Sequence, residues 1–199
     1  MKIIGITGGV GAGKTAILSF IEKNYNAKVM RADEVSHMLM QPGTVCYMRL
    51  LALLGEDVLS DDGGIDHGRM AAKIFHNKGM LQSVDQIIHP AVKEYLLDDM
   101  EHERKRGYYS FYFLEAALLI EDGYQKICDE LWYIYADRER RSERLKAERG
   151  YDDKRIVAIM ASQADDQVFR RHCARVIDNS GSLEDSFSQV REHIERISS

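Results

Sequence analysis

The sequence predicts an α/β domain built around a parallel sheet. Three observations lead there. Short runs rich in β-branched and aromatic residues alternate along the chain with amphipathic stretches of helical period. A glycine-rich loop joins the first of these strands to the first of these helices. The 199 residues, 45% hydrophobic and 30% charged, make an ordinary globular composition, long enough for one large domain with a self-sufficient core. Connections between parallel strands are expected to be right-handed crossovers.

The elements follow in order. Lys2 to Thr7 reads as a buried strand ending in glycines. Lys14 to Lys23 is a helix, with Ile17, Leu18 and Ile21 on one side. Ala27 to Met30 is a short second strand. Glu34 to Met40 is helical and is stopped by Gln41-Pro42-Gly43. Thr44 to Leu54 is an amphipathic helix ended at Gly55, and Ser60 to Gly64 is a polar turn. His67 to Phe75 and Met80 to Arg106 are helical, with a break expected at His89-Pro90, because a residue before proline is pushed out of the helical region. Tyr108 to Leu114 and Leu131 to Ala136 are strands, separated by a stretch from Glu115 to Tyr124 that mixes apolar and acidic residues. Asp137 to Arg149 is a helix dense in both signs of charge. Gly150 interrupts it, and Asp152 to Gln163 resumes. Val176 to Asp178 is the last strand. Ser182 then caps a helix to about Ile197, with Asp185 where a capping box carries Glu or Gln.

Composition excludes several classes. The net charge of -5 argues against a nucleic-acid partner, while a few placed cations suffice for a small anionic ligand. Cys46, Cys128 and Cys173 are odd in number and contain no CxxC pair, so a zinc ribbon, a redox pair and a disulfide framework all lack support. A reducing, cytoplasmic setting is expected. The apolar start runs straight into glycines, which reads as a strand and not a signal peptide. Gly107 to Leu114 is too short to span a bilayer, and no membrane association is expected.

Gly8-Gly9-Val10-Gly11-Ala12-Gly13-Lys14-Thr15 matches GxxxxGK[ST] in full, with a strand before it and a helix after it. Each part has a physical task. Glycines let the backbone wrap closely with positive φ. Successive N–H groups then form an anion nest at the start of a helix, whose dipole favours negative charge. Lys14 can reach the β and γ phosphates of a nucleoside triphosphate, and Thr15 can place its hydroxyl on Mg²⁺. A guanine-reading NKxD motif is absent from the sequence, which argues against a GTPase of the signalling type. The size of the chain and the early loop suit a small-molecule kinase with an acceptor site and an arginine-bearing lid.

Asp33 follows the second strand, at the edge where ligands bind in such sheets. It reads either as the group that takes or orients the acceptor hydroxyl's proton, or as the N-cap of the helix from Glu34 to Met40. The two are compatible, since capping uses one oxygen. Arg138, Arg140, Arg141, Arg144, Lys146 and Arg149 fit a solvated face laced with ion pairs, or a lid that neutralises the transferring phosphoryl. Arg141 and Arg144 share a face, Leu145 gives an apolar side, and Gly150 suits a hinge. His89, by itself, reads as a packed histidine at a helix break.

Taken together, several segments resemble the dephospho-CoA kinase family. They are Gly5 to Thr15, Ala32-Asp33-Glu34, Gln41-Pro42-Gly43, Phe75, His89-Pro90, Leu118 to Gly123, Arg144-Leu145, Arg149-Gly150, Gln163 and Val176 to Gly181. The order and spacing run over nearly the whole chain. The resemblance implies a P-loop kinase core with a five-stranded parallel sheet flanked by helices, plus a helical acceptor region and a lid. It implies one domain over 1–199, with an acceptor-binding insertion at about 34–106 and a lid at about 138–163. The implied reaction moves the γ-phosphoryl of ATP, with Mg²⁺, to the ribose 3′-hydroxyl of dephospho-CoA, the last step of coenzyme A synthesis. Asp33, Lys14 and Arg144 are then the expected catalytic groups. Gly9, Gly11, Ala12, Gly13, Lys14, Thr15, Ala16, Arg149 and Asn179 would bind the nucleotide, Asp33 and His89 the acceptor, and Thr15 the metal. The small-molecule acceptor is the partner implied, with no obligate protein partner.

The chain departs from the family pattern at several places. Arg31-Ala32-Asp33 stands where Asp-Ala-Asp is usual, reversing a charge beside the expected base. Such an arginine either lowers the pKa of Asp33 or grips a substrate phosphate. Ala117 replaces a common proline, Val84-Asp85 replaces Leu-Asn, Cys173-Ala174 replaces Ala-Asp, and Thr15-Ala16 replaces Ser-Thr. Glu148 occupies the place of the second lid arginine, so Arg149 comes one residue late. Two other readings stand beside this one: a kinase for another nucleoside or small metabolite, and a nucleotide-binding protein that has lost transfer.

Overall fold

A computed structural model of the chain describes every residue except 76, 117, 118, 121, 122 and 199. The sheet is arranged on β1 (Lys2–Thr7), in which Ile3 to Thr7 are all buried, as a strand covered on both faces must be. β1 pairs in parallel with β3 (Phe111–Glu115) on one side and β4 (Glu130–Tyr135) on the other. β5 (Arg175–Asp178) pairs in parallel with β4, and β2 (Ala27–Arg31) forms the far edge beside β3. The five strands of the parallel sheet therefore run in the order β2-β3-β1-β4-β5.

Alternation along the strands builds the two faces. Ile4, Ile6, Phe113, Trp132, Ile134 and Ile177 cluster with Ile17, Leu18 and Ile21 of α1 (Lys14–Asn24) and Val190 and Ile194 of α9 (Leu183–Ser198). On the other face Tyr133 stacks on Phe169 of α8 (Asp166–His172), with ring centroids 4.8 Å apart.

The chain forms two compact units. Met1–Met30 with Gly107–Ser199 make the first, which holds the sheet, α1, α6 (Arg138–Arg149), α7 (Asp153–Ala161), α8 and α9. Arg31–Arg106 make the second, a helical unit of α2 (Ala32–Leu39), α3 (Val45–Leu54), α4 (His67–Phe75) and α5 (Lys78–Arg106). Its core gathers Met40, Leu50, Leu54, Val58, Ile65, Met70 and Val84.

Four sequence expectations are corrected. α5 runs without a break through His89 and Pro90. Pro90 removes one ladder hydrogen bond and strains the preceding residue, a cost of about 3 kcal/mol. Val84, Val92, Leu96 and Met100 nevertheless form one buried stripe on α5, which packs on α2, α3 and α4. At roughly 1.5–3 kcal/mol for each large apolar side chain, that stripe outweighs the proline. α2 starts at Ala32, so Asp33 lies in its first turn and is not the cap. Arg31 holds the cap position without a side-chain hydrogen bond. The third strand begins at Phe111, since the Tyr108 carbonyl and the amides of Ser110 and Phe111 are bonded to Asn26. α8 is an added element: seven residues with Phe169 as the buried anchor give too little period to read, although Asp165 caps it by accepting from Gln167 N at 2.8 Å. Ala117, Leu118, Glu121 and Asp122 of the family-like segment lie outside the described residues.

Among the described residues, no helix is long and apolar enough to cross a membrane. In α9, His193 packs its ring on Trp132, centroids 5.7 Å apart, and its buried Nδ1 has no hydrogen-bond partner among the described residues. Burial lowers its pKa below the ordinary value, and Arg175 adds to the shift. Protonation therefore favours the unfolded chain. The stability held by neutral His193 is complete above the unfolded value of about 6.5 and falls as pH drops through the folded one. His193→Gln is expected to flatten the fall in thermal midpoint between about pH 7 and pH 5. A profile as steep as that of the parent chain would remove His193 from that role.

Candidate active site

The loop after β1 is shaped by three glycines with positive φ, Gly8 at +152°, Gly11 at +81° and Gly13 at +83°. At Gly13 a side chain is barred twice, since an added Cβ would lie 2.3 Å from Asn179 Nδ2. Gly13 is also the N-cap of α1 and offers no side-chain cap to its first turn.

The carbonyls of the loop are held from outside. Lys14 Nζ donates to Gly8 O at 2.9 Å. Arg141 Nε donates to Val10 O at 2.9 Å. Arg144 Nη1 donates to Ala12 O at 3.2 Å and to Gly11 O at 3.4 Å, and Asn179 Nδ2 donates to Ala12 O at 2.7 Å. In a trans peptide the C=O and the following N–H point in opposite directions. Fixing the carbonyls of Gly8, Val10 and Ala12 therefore fixes the directions of the N–H groups that follow them, those of Gly9, Gly11 and Gly13. The Ala12 amide closes the turn on Gly9 O at 3.1 Å. Convergent amides at a helix N-terminus form a site for a phosphate chain.

Lys14 also lies 3.6 Å from Glu115 Oε1, and both side chains are largely buried. The register sets Glu115 opposite Ile6, at the carboxyl end of β3 and beside the loop. Thr15, the second residue of α1, is exposed, and Ala16 after it is half-buried. A threonine hydroxyl and a carboxylate at a strand end are hard oxygen donors, which suits Mg²⁺ shared with substrate phosphates. Groups of three or more acidic, histidine or cysteine side chains able to hold a metal are absent among the described residues.

α6 supplies the two arginines. Asp137 caps it, accepting from Arg140 N at 2.7 Å, and Gly150 closes it in the left-handed region at φ +63°. Leu145 is buried and docks the helix. Arg144 Nη2 also donates to Asn179 O at 2.9 Å. Burial lowers the pKa of both Arg141 and Arg144, with a further push from Arg138 and Arg140 respectively. Asn179 is fully buried. Its Oδ1 accepts from Ser186 Oγ at 2.9 Å and its N–H donates to Tyr135 O at 2.7 Å. Its side chain is thus a strut beneath the loop. Arg149, the last residue of α6, is exposed.

Gly9, Gly11, Ala12, Gly13, Lys14, Arg144 and Asn179 are brought together in the first unit. Asp33 and His89 belong to the second. Asp33 is exposed, and Arg31 beside it ion-pairs with Glu34 at 3.7 Å. His89 Nε2 lies 3.8 Å from Asp85 Oδ1, one turn back on α5. The sequence reading names Arg141 only among several possible lid arginines and assigns no role to Glu115 or Ser186. Glu115 had a signal as an acid ending an aromatic strand, and Arg141 had one in sharing a face with Arg144. Ser186 had none, because its buried contact exists only in the folded chain.

The sheet order and the glycine cradle define a P-loop kinase fold. A family model described as dephospho-CoA kinase matches residues 2–185, and the chain belongs to that family. The chain is 31% identical over 191 residues to a dephospho-CoA kinase of Dehalococcoides mccartyi, covering 96% of this chain and 95% of the relative. It is also 31% identical over 192 residues to one of Geobacter sulfurreducens, covering 96% of each. Among solved structures it is similar to that of a Thermus thermophilus protein, with a TM-score of 0.81 and 25% identity over 98% of this chain and 97% of the other. A dephospho-CoA kinase from Campylobacter jejuni shares the fold, with a TM-score of 0.73 and 19% identity over 99% of this chain and 98% of the other.

Asn179→Ala removes one of the two donors on the Ala12 carbonyl and one acceptor of Ser186 Oγ, and empties a fully buried site. It is expected to cost about 1–3 kcal/mol in urea unfolding and to weaken ATP binding together with stability. A variant as stable as the parent chain would show that the strut is dispensable.

Proposed function

We propose that the protein transfers the γ-phosphoryl of ATP to the ribose 3′-hydroxyl of dephospho-CoA, yielding coenzyme A and ADP. The observation that carries this is the complete phosphate cradle in a chain matched by the dephospho-CoA kinase family model over residues 2–185. The amides of Gly9, Gly11 and Gly13 bind the phosphate chain, and Lys14, now on Gly8 O and near Glu115, is released toward the phosphates by the competing anion. Thr15 and Glu115 would hold Mg²⁺, which when bound neutralises phosphate charge. Asp33 takes or orients the proton of the acceptor hydroxyl. The helical unit Arg31–Arg106, with His89, is the acceptor-binding part, and α6 with α7 is the lid. Arg149 is exposed at the end of α6, where it is available to a bound nucleotide.

The reading needs a small-molecule acceptor and no protein or nucleic-acid partner. A reducing, cytoplasmic setting fits three free cysteines, two of which, Cys128 and Cys173, are pushed up by burial to about 12 and stay protonated.

The test is a product assay. Purified protein, Mg-ATP and dephospho-CoA are expected to yield coenzyme A, read by mass spectrometry, and no product with ATP binding intact would refute the acceptor. Asp33→Asn is expected to lower kcat about a hundredfold or more while ATP affinity stays within about twofold. Full turnover in that variant would exclude Asp33 as the base.

A further inference from the structure

Arg141 lies against the loop. A Cβ added at Gly9 would be 2.4 Å from its Nη2, 2.5 Å from Cζ and 2.8 Å from Nη1, so the guanidinium occupies the space that the missing side chain leaves and would have to shift for any other residue. Nε donates to Val10 O, and Nη2 donates to Gln163 Oε1. Both acceptors are neutral. Among the described residues no carboxylate lies within ion-pair distance of Arg141, and neither hydrogen of Nη1 meets an acceptor. The side chain is half-buried. A partly desolvated cation without a counter-charge is costly, and a guanidinium with open donors suits phosphate oxygens. Arg144, three residues on, differs. Its guanidinium bonds to three carbonyls, those of Gly11, Ala12 and Asn179.

We propose that Arg141 is a direct ligand of the nucleotide's polyphosphate, through the open Nη1 donors above Gly9, while Arg144 is a positioning residue that braces the loop from its carbonyl side. Gln163 anchors the far edge of the Arg141 guanidinium and fixes its direction. The inference rests on the ATP-binding part of the proposed function and is independent of the acceptor.

The experiment is calorimetric binding of ATP, ADP and AMP to the full chain, without dephospho-CoA. R141Q is expected to weaken ATP about tenfold to a hundredfold, ADP less, and AMP by no more than about twofold. R141K keeps the charge but loses the fork that Val10 and Gln163 orient, and is expected to weaken ATP clearly less than R141Q does. The salt dependence of ATP binding is expected to be shallower in R141Q than in R141K. Equal losses on all three nucleotides, or equal losses in R141Q and R141K, would reduce Arg141 to a support of Val10 and overturn the proposal. So would unchanged ATP affinity in R141Q. Should R141Q not fold, the parent chain carries the test. Its Arg141 side-chain ¹⁵N resonances, assigned by their loss in R141K, are expected to move with ATP and not with AMP, and resonances that stay still overturn the proposal. A parent chain that binds none of the nucleotides would refute the ATP-site reading and this inference with it. A parent chain that binds ATP beside an unaffected R141Q refutes this inference alone.

Discussion

The first unit depends on one constraint: the carbonyl groups of the loop between β1 and α1 are occupied by side-chain donors. Donors from Lys14, Arg141, Arg144 and Asn179 take the carbonyls of Gly8, Val10, Gly11 and Ala12. Peptide planarity then settles where the amides point. A glycine-rich loop free of those bonds would have many conformations, and a ligand would have to freeze it. Here that ordering is done by folding, so binding a phosphate chain meets a preformed nest.

The donors are delivered by distant parts of the chain. Arg141 and Arg144 stand on α6, and Asn179 follows β5. The two segments are stitched together, since Asp137 N donates to Ser180 Oγ at 2.9 Å and Arg140 Nε donates to Ser180 O at 3.1 Å. Ser186 of α9 holds the Asn179 amide in turn. The strand order places β4 next to β1 and β5 next to β4, so the turns leaving these strands meet the loop at one edge of the sheet. Glu115 arrives from the opposite neighbour, β3, by the register that sets it against Ile6.

The second unit answers to a different balance. Its helices carry a core of their own, and α5 stays straight enough in hydrogen bonding to bury four apolar residues across a proline. Local preference predicts a break at His89, but that preference is a few kcal/mol and the packed stripe is worth more. The N-terminus of α2 shows the same tension on a smaller scale. Asp33 in the first turn gains from the helix dipole without serving as a cap, which leaves its carboxylate exposed.

The sequence by itself determined the features encoded within a few residues. The strand from Lys2 to Thr7, the helix from His67 to Phe75, the Ser182 cap and the glycine pattern before Lys14 are local, and the family could be read from motifs in order along the chain. Only the tertiary structure decided that Asn179 reaches Ala12 across 167 positions, that Arg141 reaches Val10 across 131, and that Glu115 stands beside Lys14. It also separated two arginines that look alike in sequence, giving Arg144 three carbonyls and Arg141 an open edge. The physical reason is that these contacts are set by strand order, register and the docking of Leu145. Each is a long-range packing outcome, and spacing along the chain carries no record of it.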